Sequence, residues 1–187
     1  GGRRNTYHFN DGNRIRFRFF LFLFTALITK AYGQNEFAAA AFYNDLKKLY
    51  DDAQAGFSSY KGEKKASEYQ DLQTEYKVKL MLPLADSGMI VCPNNSSPYA
   101  IFYFEPSRVR LKVDQRALNL QEAVLTAYGQ PLYARTETII VNNRPLTNTL
   151  LFATPEESKY SAALFRVSIY FKEGKYFLSF EIRSRND

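Results

Sequence analysis

Glu181 and Arg183 stand two residues apart in KYFLSFEIRS (175–184), and Glu137 lies between Thr136 and Thr138 in ARTETIIVN (134–142). A carboxylate on a strand can act as a general acid or base when burial or a neighbouring charge tunes it. Side chains at i and i+2 of a strand leave from the same face. The plain reading of Glu181 and Arg183 is therefore an ion pair, which is far commoner than a catalytic pair at this spacing. Glu137 and Glu181 are the candidates for a hydrolase or lyase that works without histidine, using carboxylates or Tyr. Neither has the spacing of a known catalytic motif. No catalytic, cofactor-binding or metal residue is assigned, and no cofactor is expected.

Other chemistries lack their residues. The one histidine is His8, and there is no tryptophan and a single cysteine, Cys92. Downstream of residue 33 the chain has no histidine, so Ser-His-Asp and Cys-His nucleophile systems are excluded there. Histidine-ligated metal sites are excluded too, and one thiolate cannot build a structural zinc site. GxxxxGK[ST], GxGxxG, GxSxG and DxDxDG do not occur. Cys92, within GMIVC, is expected to behave as a small buried hydrophobe, the alternative being a disulfide between chains.

A greasy stretch near the start bears on address and charge. Arg14, Arg16 and Arg18 precede the ten-residue run FFLFLFTALI (19–28), and Ala31 and Gly33 follow two apart. A membrane-spanning helix needs about 20 apolar residues. Ten fit the apolar region of a secretory signal peptide, with a small-residue cleavage site behind it. Residues 1–33 are expected to be an upstream segment plus a removed leader, leaving 34–187 as a single domain with no stable membrane span. Cleavage is expected after Gly33, so the product is exported, periplasmic or extracellular.

Removing that segment changes the electrostatics. The whole chain is formally +6, but residues 1–33 hold six basic groups and one acid. What remains has 19 basic against 18 acidic groups, a net charge of +1. Nucleic-acid binding needs a basic face to neutralise phosphates, and none is expected.

The remaining chain is rich in aromatics, with 22 Phe and Tyr after residue 33. Most must be core. Tyr99, Tyr103, Tyr133, Tyr160, Tyr170 and Tyr176 lie in or beside expected strands, where some would combine apolar area with a polar tip at a binding surface.

These residues need elements to position them. EFAAAAFYNDLKKLYDDAQA (36–55) carries Phe42, Leu46, Leu49 and Ala53 at steps of four, three and four, one face of a helix, with Gly56 as its stop. Residues 56–73 read as a polar connector. EYKVKLML (75–82) alternates and reads as a half-buried strand, ADSG (85–88) as a turn, and MIVC (89–92) and YAIFYFE (99–105) as strands. RVRLKV (108–113) alternates as a strand would. Residues 114–128 read as a second helix, capped by Asp114, with a stripe of Ala117, Leu118, Gln121, Val124, Leu125 and Tyr128. Gly129 and Pro131 stop it. Strands are expected at 134–142, 148–154, 163–171 and 175–184, the last two joined by a hairpin through Lys172-Glu173-Gly174.

The pattern predicts an α+β single domain, a mainly antiparallel sheet of about six to eight strands with two helices packed on one face. No internal repeat is visible. Its expected role is an exported, non-enzymatic binding or assembly module of the bacterial cell envelope. The partner, a protein or a small molecule, is not specified, and an exposed sheet edge near tyrosines is the expected contact.

Overall fold

A computed structural model describes residues 33–69, 71–159 and 163–184, and Glu36–Asp187 pack as one compact unit. The leader reading and His8 lie outside the described residues, as does Tyr160.

Eight strands form one antiparallel sheet: β1 (Lys61–Lys65), β2 (Gln73–Val78), β3 (Ala85–Pro93), β4 (Tyr99–Ser107), β5 (Tyr133–Val141), β6 (Arg144–Phe152), β7 (Phe165–Lys172) and β8 (Lys175–Arg183). Helix α1 spans Ala40–Ala53 and α2 spans Arg110–Tyr128. The sheet order is β1-β2-β3-β4-β8-β7-β6-β5. Each half of the chain is thus a helix followed by a four-stranded meander, and the two meanders join where β4 pairs with β8. The topology repeats although the residues do not.

Both helices cover one sheet face. Period-two alternation sends Ala100, Phe102 and Phe104 of β4, Phe165 and Val167 of β7, and Leu178, Phe180 and Ile182 of β8 to that side, where all are buried. Phe102 and Phe180 are cross-strand partners at the centre. The α1 stripe is the expected one, with Phe42, Leu46, Leu49 and Ala53 all buried. Phe37, just before the helix, sits edge-on to both Phe42 and Phe104 and pins the entry of α1 to the sheet. Asp52 fixes its exit, because its carboxylate accepts the backbone N–H groups of Ser59 and Tyr60.

Several expected boundaries move. RVRLKV is not a strand: residues from Arg110 onward open α2. Alternation over so short a run also fits a helix, and the sheet face is buried by Val113, Ala117, Leu120, Ala123 and Val124 at helical steps. That stripe is rotated from the expected one, leaving Leu111 76% and Leu118 59% exposed. Asp114 is not the cap. It lies inside the helix and pairs with Arg110 at 3.5 Å, while Ser107 Oγ accepts the N–H of Val109. Gly129 ends α2 in the left-handed region, as its position in the sequence implies. ADSG is strand rather than turn, because β3 runs through it opposite β4. The connector at 56–73 contributes β1, and the strand expected at 75–82 starts at Gln73 and stops at Val78.

Candidate functional site

Among the described residues no helix lies over the other face of the sheet, yet its middle is buried. Antiparallel register assembles it in rows. Glu137, Asn148, Ser168, Ser179 and Tyr103 are successive cross-strand partners across β5, β6, β7, β8 and β4. The adjacent row runs Arg135, Leu150, Arg166, Glu181 and Ile101 across the same strands. Asn148, Ser168, Ser179 and Glu181 are buried on this face. Buried polar groups persist only where they are hydrogen-bonded or paired. The Ser168 hydroxyl donates to Asn148 Oδ1 at 2.7 Å.

Glu181 is the centre of charge. It is 8% exposed. Arg183 Nε donates to its Oε2 at 3.1 Å, and Arg166 Nη1 stands 3.6 Å from its Oε1. The Arg183 guanidinium also lies over the Tyr99 ring, 5.4 Å from its centre. Arg166 Nε is buried with no partner among the described residues. Beyond this cluster the face opens into a cleft of about 620 Å³, lined among others by Tyr103, Tyr170, Arg144, Arg166, Lys172 and Glu181. Among the described residues its lining holds three cationic side chains against one acid.

Tyr170 lines the cleft and stacks on Phe177 behind it, with centroids 5.3 Å apart. Burial pushes the Tyr103 hydroxyl up to about 12, with smaller contributions from Tyr170, Tyr99, Glu181 and Glu75. Burial, then the Glu181 charge, also raises Tyr99, and burial raises Tyr170. All three remain phenols near neutrality and keep an O–H to donate.

The structure thus brings Glu181, Arg183, Tyr99, Tyr103 and Tyr170 onto one face. Glu137 shares that face but sits on the outermost strand, 3.9 Å from Arg135. Tyr133 is exposed at the start of β5. Tyr176 packs beside Phe171 under the Arg110 guanidinium and is not among the residues lining the cleft. Cys92 is a free thiol, half-buried against the core. Among the described residues no three His, Cys, Asp or Glu side chains gather as metal ligands, and no helix is long and apolar enough to cross a membrane.

Arg166, Asn148 and Ser168 were not singled out by sequence. A signal for Arg166 existed. Glu173 and Gly174, both at positive φ, form a two-residue turn that pairs Lys172 with Lys175. Counting back from that pair sets Arg166 opposite Glu181. Asn148 needed a second turn, Asn142-Asn143, whose positive φ values close the β5–β6 hairpin and start β6 at Arg144, four residues before the strand expected at 148–154.

No protein-family model, curated protein or solved structure matches this chain.

Proposed function

We propose that the chain is an exported binding module, and that its ligand is a compact organic anion held in the cleft of the open sheet face. One observation carries the reading: Asn148, Ser168, Ser179 and Glu181 are buried, with half-buried Arg166 and Arg183 on the Glu181 carboxylate, on a face that no helix of the described residues covers. Burying charge is unfavourable unless it is organised, and a solvated sheet face does not need it. Convergent polar groups at the floor of a cleft of this size are typical of small-molecule sites.

The chemistry of the lining favours an anion. Arg144, Arg166 and Lys172 outnumber Glu181, and a guanidinium fork suits carboxylate or phosphate. The phenols of Tyr103 and Tyr170 add neutral donors, and Ile101, Val141 and Leu146 supply apolar lining. Glu181 has an arginine on each oxygen and is, among the described residues, the only acid lining the cleft. A carboxylate-based hydrolase calls for a second acid near the first, so the arrangement favours binding over turnover.

The test is a panel of carboxylates and phosphates with aromatic or aliphatic bodies, screened by thermal shift and titrated by calorimetry. Binding should weaken with salt, and weaken about tenfold in Arg144→Glu, whose site lies at the exposed rim. A panel with no binder would sink the ligand class. Hydrolysis of a substrate, lost in Glu181→Gln, would replace the binding reading by the enzymatic one. Export is tested separately by intact mass, which should show a chain beginning at or within a few residues of Gln34.

A further inference from the structure

The two edges of the sheet are built differently. Strand β1 is five residues long, carries Lys61, Lys64 and Lys65, and has a register shift between Lys61 and Lys64. Short length, lysines and a bulge are the means by which an edge is kept from pairing with another chain. Strand β5 has none of them. It pairs with β6 in unbroken register over nine residue pairs. It contains neither lysine nor proline, and Ile139, Ile140 and Val141 are exposed, Ile140 to 68%. Among the described residues nothing lies beyond it in the sheet.

The hairpin geometry says which backbone groups face outward. A two-residue turn makes Val141 and Arg144 a hydrogen-bonded pair, so the odd-numbered residues of β5 bond to β6. The N–H and C=O groups of Ala134, Thr136, Thr138 and Ile140 therefore point away from the sheet. They can accept an antiparallel strand.

We infer that β5 pairs with β5 of a second copy about a two-fold axis through Thr136, giving a closed dimer with one continuous sheet. Side-chain complementarity selects both the occupant and the register. Centred on Thr136, Arg135 faces Glu137 of the second copy, twice by symmetry, and Tyr133 faces Ile139. Opposite charges and aromatic–β-branched pairs are the favourable cross-strand combinations. Centring on Arg135 or Glu137 would set like charges opposite each other. Centring on Thr138 would set Arg135 against Val141 and Glu137 against Ile139. Arg135 is held in place by the Ser158 carbonyl, which accepts from its Nη1, and by the Phe152 ring under its guanidinium, while its present carboxylate neighbour is at the outer limit of an ion pair, 3.9 Å away. A two-fold contact uses the same patch on both copies and stops growth at two, which removes the hazard of so apolar an edge. This surface is separate from the cleft, and the inference does not depend on the cleft's ligand.

Sedimentation velocity of the full chain should give a dimer in the micromolar range. Arg135→Glu alone and Glu137→Arg alone should each weaken the dimer at least tenfold, since each sets like charges across the axis. Mixing the two variants should restore a dimer, because the mixed pair again opposes unlike charges. A Cα separation of about 5.5 Å at the axis falls within disulfide range. Thr136→Cys in a Cys92→Ser background should therefore crosslink under mild oxidation, which tests the axis even where a charge variant folds poorly. A wild-type monomer, including one whose edge is covered by its own residues 1–32, overturns the inference. So does a dimer indifferent to both charge reversals.

Discussion

Arg166 on β7 and Glu181 on β8 are direct cross-strand partners, with guanidinium and carboxylate 3.6 Å apart on the sheet face opposite α1 and α2. Removing one member of such a pair strands the charge of the other. Glu181→Gln should lower stability by about 3 kcal/mol in a urea titration. The double variant Glu181→Leu with Arg166→Leu should lose less than the single one, because only Arg183, 29% exposed, is then left without its carboxylate. A double variant that loses the sum of the two singles would mean the pair is uncoupled.

Leu46 and Leu118 separate the two helix faces. Leu46 is buried between α1 and the sheet, so Leu46→Ala should cost about 2–5 kcal/mol. Leu118, which the sequence pattern assigns to the buried stripe, is exposed, and Leu118→Ala should stay within about 0.5 kcal/mol. Equal losses at both sites would mean that α2 is rotated from the position described.

Gly88 on β3 is the cross-strand partner of Phe102, whose ring lies across it. A Cβ at Gly88 would come within 2.7 Å of Phe102 Cδ1. Phe102 is fully buried at the join of the two meanders. Gly88→Val should therefore destabilise by about 1–3 kcal/mol, the range for overpacking. Pairing it with Phe102→Leu should recover part of the loss. A Gly88→Val melting temperature equal to wild type would show that the ring can move aside.

Much of the fold is legible in the residues, and the gaps have physical causes. The α1 stripe and the β7 and β8 alternation are long, periodic signals and land where the pattern places them. RVRLKV fails because six residues are too few to separate period two from period 3.6. ADSG fails because turn-forming residues also fit a strand whose partner demands close approach, as Phe102 does of Gly88. At the site, alternation alone puts Arg166, Ser168 and Tyr170 on the polar side of β7. That this side is buried at its centre is set by register across five strands, a long-range property that no local window contains.

Tyr103 ties the burial of the cleft to pH. Its hydroxyl is pushed up to about 12, chiefly by burial and then by Tyr170 and Tyr99, while Tyr99 and Tyr170 are raised as well. The ordinary value, which the unfolded chain keeps, is about 10. Between those values the folded protein holds protons that the unfolded chain has released, so stability falls as pH rises. The contribution is complete below about pH 10 and is lost on the way to about pH 12. Melting temperature should therefore drop across that window, and drop less steeply in Tyr103→Phe, which removes the last-titrating phenol and keeps the ring. Phenolate absorbance should show a late step in the wild type that Tyr103→Phe lacks. Complete ionisation of every tyrosine near pH 10 in the still-folded protein would mean that water reaches Tyr103 freely and that the cleft floor is not buried.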